Sequence, residues 1–396
     1  MTSYFIEDST LINVITNVTL PWIPPEMKQK EDLSCAQNRS DEHITFYENA
    51  RFVTGLIVYP IGCIIGITGN ILALIVFNHR DMRTSTNVYL SSLAVSDTIK
   101  LLNDAMYFMI VAVGMNDASL SQTMMSSLYP VAHYVFNMAV CVTAWLTVSV
   151  AVERYISVCY PSRAKDLCTT RRARLVCTFV FLSMSIFAVP SALRYEMRTI
   201  FDKALNVTCA LIVATDLGNN NQFMIPYSWI NNSLRGIIPV FILVFLNVNI
   251  INELRKERVK GKKFTARNRI TLMLIVIIFM FLICITPDAI LSTFFNKGYV
   301  DEENLFKGIR EITDSLLVVN SALSFMVYCA MSSVFRVTFA KIFFKFRARP
   351  PHPEAMHLNR RSPSQKHTPT VESPDVVRAN GSSKHEIHSN GGEEYL

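Results

Sequence analysis

Seven apolar blocks, each long enough to cross a lipid bilayer, constrain this chain more than any other feature. They lie at about 52–77, 88–113, 128–159, 175–193, 230–251, 270–294 and 305–331. A membrane-spanning helix needs about 20 apolar residues, and backbone groups in lipid must hydrogen-bond within their own segment. We therefore predict an all-α membrane protein, built as a seven-transmembrane helix bundle. The fifth and seventh blocks are weaker, since they hold Asn, Ser, Arg or Asp.

The segments that connect these blocks alternate in charge along the chain. Asp and Glu dominate residues 1–50, whereas Lys and Arg cluster after the first, third and fifth blocks. Segments rich in Lys and Arg stay on the cytoplasmic side of a membrane. We therefore predict a multi-pass plasma-membrane protein with its N-terminus outside and its C-terminus in the cytoplasm. The formal net charge of +7 reflects this topology and an attraction to membrane lipids, and no nucleic-acid partner is expected.

The chain divides into four parts on this prediction. Residues 1–50 form an extracellular, glycosylated N-terminal segment, and residues 51–331 form the seven-helix domain. Residues 332–347 form an amphipathic interfacial helix, because phenylalanines recur there at helical spacing beside Lys and Arg. Residues 348–396 are rich in Pro, Ser, His and Asn and poor in apolar groups, which is typical of a disordered cytoplasmic tail.

Two covalent features are predicted on the outer side of the membrane. Acceptor sequences for N-glycosylation occur at Asn17, Asn38 and Asn206. Of the nine cysteines, only Cys35 and Cys209 should face the oxidising side, so we predict a disulfide between them. The alternative is a pair of free thiols. The predicted bond would tie the N-terminal segment to the second outer loop.

Charged and amide side chains inside spanning helices are functional candidates, because they are costly in lipid. Three of them and one serine should meet in one buried polar cluster: Asn70, Asp97, Asn320 and Ser324. This cluster is either a structural network or a site for water or a cation. Near the end of the third block, Glu153 and Arg154 are adjacent. The arginine either reaches towards the membrane interface or belongs to a conformational switch at the cytoplasmic face.

Several short motifs occur together in the order and at the spacing of one known family. They are Gly69-Asn70, the L-A-x-x-D of residues 93–97, Glu153-Arg154-Tyr155, Pro239, Phe281 with Cys284 and Pro287, and Tyr328. With these motifs the chain resembles a rhodopsin-like (class A) G-protein-coupled receptor. Within that family it is similar to the FMRFamide-receptor kind of neuropeptide receptor. The resemblance covers about residues 51–346 and implies no cofactor other than an allosteric sodium ion at Asp97.

The resemblance also implies roles at the cytoplasmic face. Arg154 would hold the resting state and then contact a heterotrimeric G protein, while Tyr328 would swing inward on activation. The switch and the G-protein contact would comprise Glu153, Arg154, Tyr155, Asn247, Arg269 and Tyr328. Arrestin would bind the tail after phosphorylation of its serines and threonines.

The chain departs from the family's pattern at several positions. Ile285 stands where the sixth helix usually has a tryptophan, so the side chain of the usual rotamer switch is absent. Ser324 replaces the asparagine of the N-P-x-x-Y motif in the seventh helix. Tyr129 replaces the cysteine usual at the outer end of the third helix, which is why Cys209 needs another partner.

The predicted outer pocket is rich in charged and aromatic side chains. Phe136 replaces the aspartate of amine receptors and Val318 the lysine of visual pigments, so neither ligand class is expected. Acidic groups in a low-dielectric cleft bind an arginine side chain well. The predicted ligand pocket comprises Asp104, Tyr107, His133, Phe136, Asn137, Arg235, Asp288, Glu311 and Asp314. We predict an extracellular peptide ligand, and the resemblance to FMRFamide receptors implies one that ends in Arg-Phe-amide.

Alternatives stay open at this point. Asp104 could pair with Lys100, and Asp314 with Arg310, and each pair would remove an acid from ligand binding. The ligand could be a non-peptide molecule. A transporter or channel is less expected, because the two halves of the chain share no internal repeat. An enzyme is not expected, since the sequence holds no H-E-x-x-H, G-x-S-x-G or P-loop motif, and its histidines are too scattered for a metal site.

Overall fold

The structure is a computed structural model, and it describes residues 43–202, 207–259, 266–294 and 303–344. Within these ranges seven long helices and one shorter helix form the predicted bundle. They are α1 (Ile44–Phe77), α2 (Ser85–Gly114), α3 (Ala118–Cys159), α4 (Thr170–Phe187), α5 (Asn221–Asn232 and Ile238–Val259, joined by the π-helical turn Ser233–Ile237), α6 (Ala266–Phe294), α7 (Asn304–Met331) and α8 (Ser333–Phe343). The prediction of a seven-transmembrane bundle with an amphipathic eighth helix is confirmed.

The span that hydropathy defines least clearly is α2. Six helices in the described ranges are long and apolar enough to cross a membrane by composition alone, and α2 is not among them. It holds Asp97, Lys100 and Asp104, and all three are buried inside the bundle. Its 30 residues extend about 45 Å, which exceeds the roughly 30 Å of a bilayer core. The sequence also predicted weak spans for α5 and α7 because of their polar residues, but both helices are among the six that are long and apolar enough.

Polar side chains fix where several helices begin. Thr84, Asp117 and Ser332 each accept a hydrogen bond from the backbone N–H three residues ahead, at the starts of α2, α3 and α8. Such caps satisfy donors that have no partner within the helix. The cap at Asp117 places the start of α3 ten residues before the apolar block at 128, so α3 projects beyond its predicted span.

A two-stranded hairpin departs from the all-α prediction. Strand β1 (Tyr195–Asp202) pairs antiparallel with β2 (Val207–Ala214), with Tyr195 opposite Ala214. The projecting start of α3 supports the hairpin, because Gln122 Nε2 and Ser126 Oγ donate to the Ala210 carbonyl at 3.2 and 3.0 Å. Following the predicted orientation, we call the end of the bundle with this hairpin the outer end, and the end with α8 the inner end.

Small residues let neighbouring helices of the bundle approach closely. A Cβ atom added at Gly66 of α1 would lie 2.6 Å from Leu101 Cδ1 of α2 and 3.1 Å from Ala322 Cα of α7. A Cβ atom at Gly236 of α5 would lie 2.4 Å from Ala289 Cβ of α6. Helix association in lipid depends on such close packing. Both contacts hold together the helices that surround the outer cavity.

Helix α8 packs its phenylalanine face against the inner end of the bundle. Phe335 is fully buried, and its ring lies 5.8 Å from that of Tyr328 and 5.4 Å from that of Phe77. On its exposed side Lys341 Nζ contacts Asp81 Oδ2 at 2.8 Å. This hydrogen bond holds the pKa of Asp81 below its usual value. The contact therefore persists at neutral pH and weakens only as the pH falls through that lowered pKa.

Candidate functional site

A cavity of about 190 Å³ lies between the helices at the outer end. Residues of α1, α2, α3, α5, α6 and α7 line it, together with Tyr195 of β1. The lining includes these members of the predicted pocket: Asp104, Tyr107, His133, Phe136, Asn137, Arg235, Glu311 and Asp314. The remaining member, Asp288, does not line the cavity. It is fully buried behind Arg235.

Two π-helical turns lie next to this cavity, one with a side chain that lines it and one with a side chain that contacts the lining residue Glu311. One turn of α5, Ser233–Ile237, contains Arg235, and one turn of α1, Thr54–Val58, contains Thr54. A π turn inserts one residue into a helix and rotates the residues after it, and such turns are frequent at functional sites. Sequence periodicity assumes a regular helix, so it does not reveal these turns.

Arg235 and Asp288 form a buried ion pair at the floor of the cavity. Arg235 Nη2 contacts the carboxylate oxygens Oδ1 and Oδ2 of Asp288 at 2.6 and 2.5 Å, and Ser292 Oγ at 2.6 Å. The side chains of Arg235 and Asp288 are 5% and 0% exposed. Arg235 Nη1 also reaches Asn137 Oδ1 at 3.4 Å, while its Nε is buried without a hydrogen-bond partner.

A second buried ion pair lies in α2. Lys100 Nζ contacts Asp104 Oδ2 at 2.6 Å, so the alternative pairing considered from the sequence is present. The Phe136 ring lies within cation–π distance of both cations, 5.7 Å from Lys100 Nζ and 5.5 Å from Arg235 Cζ. The floor of the cavity therefore consists of the aromatic ring of Phe136, which belongs to α3. Two ion pairs flank this ring, one within α2 and one between α5 and α6.

The two acids of α7 differ in their surroundings. Glu311 accepts a hydrogen bond from Tyr107 Oη at 2.6 Å and one from Thr54 Oγ1 at 3.3 Å. Asp314 Oδ1 is buried without a hydrogen-bond partner. Across the cavity the His133 ring stacks on Tyr129 at a centroid distance of 5.6 Å. Both aromatic and acidic groups therefore face the same space.

The predicted polar cluster below the cavity converges on Ser321. Ser321 Oγ donates to Asp97 Oδ1 at 3.0 Å, and Asn70 Nδ2 donates to the Ser321 carbonyl at 3.1 Å. Thr143 Oγ1 lies 3.5 Å from the same oxygen of Asp97. Ser324 instead bonds the Asn320 carbonyl of its own helix, at 3.3 Å. Sequence reasoning missed Ser321, although it lies one turn from Ser324 on the same face of α7.

At the inner end the Glu153–Arg154 pair is held by residues of α2. Glu153 Oε1 accepts from Ser85 Oγ and lies 3.3 Å from Thr86 Oγ1 and from Arg154 Nη2. Arg154 Nη2 also donates to Thr86 Oγ1 at 2.5 Å. Neither Ser85 nor Thr86 was predicted. They could have been found in the sequence as two hydroxyl residues that directly follow Thr84, the residue that caps α2.

The other residues of the predicted switch surround this pair less directly. The ring of Tyr155 contacts Tyr160 at 5.7 Å, and Tyr328 is buried with its ring 5.1 Å from Phe77. Asn247 Nδ2 bonds the Leu243 carbonyl at 2.7 Å, and its Oδ1 is buried without a partner. Arg269 lies in α6, but its side chain is outside the described part of the structure.

The predicted covalent features fall mostly outside the described residues. Cys209 of β2 is disulfide-bonded, and its predicted partner, Cys35, lies outside. The predicted glycosylation sites Asn17, Asn38 and Asn206 also lie outside. In the described ranges no group of three or more His, Cys, Asp or Glu could hold a metal ion.

Comparison with known proteins identifies the family of this chain. Residues 69–328 match the family described as 7 transmembrane receptor (rhodopsin family). The chain is 29% identical to a probable G-protein coupled receptor of Caenorhabditis elegans, over 76% of this chain and 72% of that protein. It is 24% identical to the FMRFamide receptor of Drosophila melanogaster, over 80% of this chain and 59% of that protein. It is 26% identical to the sex peptide receptor of Drosophila melanogaster, over 72% and 71%.

The family match covers well over half of the chain and includes the inner charge pair and nearly all of the residues that line the cavity. The chain therefore belongs to the rhodopsin family of seven-transmembrane receptors, and its similar proteins include receptors named for neuropeptides.

Proposed function

We propose that this protein is a plasma-membrane receptor for an extracellular amidated peptide and that it signals through heterotrimeric G proteins. The observation that carries the proposal is the floor of the outer cavity. There an aromatic ring, Phe136, lies beside two ion pairs whose charges are already compensated. Such a floor accepts an aromatic side chain and a neutral amide better than a free carboxylate, because Lys100 and Arg235 already contact carboxylates of the receptor itself.

The size of the cavity supports a peptide bound by its end. Sites that enclose a whole drug-sized ligand measure roughly 300–1,000 Å³, and this cavity measures about 190 Å³. It accommodates a terminal residue, while the rest of a peptide would lie against the hairpin. Two of the similar receptors are named for peptides, FMRFamide and sex peptide, which favours the same ligand class.

The inner end supports the second half of the proposal. Arg154 is buried in a cluster of α2 and α3 from which it could be released, and the resemblance assigns it to the G-protein contact. Tyr155, Asn247, Arg269 and Tyr328 would complete that contact. We further propose that arrestin binds the phosphorylated tail and that anionic membrane lipids attract the basic inner loops. This arrangement requires the N-terminus outside and the C-terminus in the cytoplasm.

The oxygen atoms around Asp97 fit a sodium ion. Asn70 Oδ1 is buried there without a hydrogen-bond partner, and the hydroxyls of Thr143 and Ser321 contact the Asp97 carboxylate. Hard cations prefer such oxygen ligands. These four side chains would hold the ion, which would supply the positive charge that compensates the carboxylate.

A disulfide between Cys209 and Cys35 is proposed on the outer side. Cys209 is disulfide-bonded, and seven other cysteines in the described ranges are free thiols. Of nine cysteines in the chain, Cys35 is the one left over. Peptide mapping without reduction is expected to recover the two linked. Recovery of Cys35 as an alkylated thiol would exclude the pair.

The ligand proposal is tested with matched peptides. Cells that express the receptor are exposed to a library of amidated peptides and to the same peptides as free acids, and nucleotide exchange on G proteins is measured. An active amide is expected to be at least about tenfold more potent than its acid, which corresponds to about 1.4 kcal/mol. Equal potency of amide and acid, or activation by no amidated peptide, would refute the proposal.

A further inference from the structure

The four acids of the predicted pocket are not equivalent, because three of them already make an ion pair or a hydrogen bond. Asp104 is paired with Lys100, and Asp288 is paired with Arg235. Glu311 accepts hydrogen bonds from Tyr107 and Thr54. A ligand cation could use these three only by breaking a contact that the receptor already makes.

Asp314 differs from the other three acids. It lines the cavity and is partly exposed, whereas Asp104 and Asp288 are buried in their pairs. Its Oδ1 atom is nevertheless buried without a hydrogen-bond partner. A buried acceptor that is left unsatisfied is costly, and a carboxylate is costlier still, so a native structure that keeps one has a reason for it.

A ligand cation would remove this cost. A guanidinium group supplies several N–H donors in a planar fork that matches a carboxylate, and charge-assisted hydrogen bonds of this kind are the strongest. Asp314 lies on α7 three residues after Glu311, so both face the cavity from one helix side. A cation at Asp314 would leave the Phe136 floor free for the adjacent aromatic group.

We propose that Asp314 is the residue that binds a cationic side chain of the ligand, while Asp104, Asp288 and Glu311 maintain the shape of the cavity. The proposal rests on the proposed function, since it assigns one contact of the same peptide. If Asp314 has this role, the receptor recognises a guanidinium or ammonium group of the ligand that lies next to an aromatic residue.

The first measurement needs no ligand. Thermal unfolding of the purified, unliganded receptor is compared for wild type, Asp314→Asn and Asp104→Asn. Asp314→Asn is expected to unfold at the same or a higher temperature, because the buried Oδ1 atom of Asp314 has no hydrogen bond to lose. Asp104→Asn is expected to unfold at a lower temperature, because it leaves Lys100 buried without its partner. If Asp314→Asn loses as much stability as Asp104→Asn, Asp314 has a structural partner and the proposal is wrong.

The second measurement is binding of two dipeptide probes by thermal shift. The probes are Arg-Phe-amide and citrulline-Phe-amide, which differ in charge but hardly in shape. Wild type is expected to prefer the arginine probe by about tenfold, and Asp314→Asn by less than about threefold. Glu311→Gln serves as the matched control and is expected to keep the full preference.

The outcomes separate this inference from the proposed function. An unchanged preference in Asp314→Asn, a preference lost in Glu311→Gln instead, or no preference in wild type would each overturn the role of Asp314. If the probe preference behaves as expected but no amidated peptide triggers nucleotide exchange, the binding role stands and the proposed signalling function fails.

Discussion

Replacing Asp288 with alanine is expected to destabilise this receptor more than any other single change at the outer cavity. The substitution leaves Arg235 buried, 5% exposed, without the carboxylate that it contacts at 2.5 Å. Breaking a buried ion pair from one side costs about 3–5 kcal/mol, which is a large part of the roughly 5–15 kcal/mol that stabilises a protein. Thermal unfolding of the purified receptor is expected to shift downward by on the order of 10 °C.

The same substitution is expected to weaken the agonist response beyond its effect on surface expression. Arg235 Nη1 reaches Asn137 at the cavity floor, so a displaced guanidinium disturbs the surface that the ligand contacts. The agonist concentration for half-maximal response, corrected for receptor number at the cell surface, measures this effect. An unchanged dose–response curve would remove Asp288 from any role at the site.

Two controls distinguish an unpaired charge from a general packing defect. The double variant Arg235→Met with Asp288→Leu removes both charges and is expected to recover most of the lost stability, because a buried pair contributes little net stability over apolar residues. Glu196→Ala removes one partner of the exposed Arg198–Glu196 pair and is expected to change the free energy of unfolding by about 1 kcal/mol or less. A double variant as unstable as Asp288→Ala would contradict the explanation.

The Arg235–Asp288 pair also shows which features of the cavity sequence reasoning could not predict. Sequence reasoning placed Arg235, Phe136 and Asp314 at the outer cavity, and all three line it. It placed Asp288 there too, because a regular helix gives no reason to bury that acid behind Arg235. The π turn Ser233–Ile237 changes the direction of Arg235, and such a turn is not visible in apolar periodicity.

The spans themselves were predictable because bilayer thickness sets the length of an apolar helix. The span that hydropathy defines least clearly, α2, was still recognised, since its charges lie on an otherwise apolar stretch. The hairpin of β1 and β2 was not, because its anchor is a pair of side chains on the projecting start of α3. Contacts between distant segments, such as Thr86 with Arg154, likewise leave no periodic signal in the sequence.

The contact between Thr86 and Arg154 leads to the second large expected effect. Thr86→Val removes a hydroxyl that accepts from Arg154 Nη2 at 2.5 Å while keeping the shape of the side chain. A hydrogen bond to a charged group contributes about 1.5–3 kcal/mol. If that contribution is present only in the resting state, its loss shifts the balance towards the active state by about 10- to 100-fold. Basal nucleotide exchange without agonist is expected to rise accordingly, up to the level of the agonist response.

Thr98→Val is the matched control, because Thr98 lies on the same helix and its Oγ1 bonds only the Ala94 carbonyl one turn back, at 2.7 Å. It is expected to leave basal exchange unchanged. Arg154→Ala in addition to Thr86→Val is expected to abolish exchange, since the released arginine is the group that the G protein would meet. Equal basal exchange in the two valine variants would mean that Thr86 does not restrain Arg154, and that release of this arginine is not the step that activates the receptor.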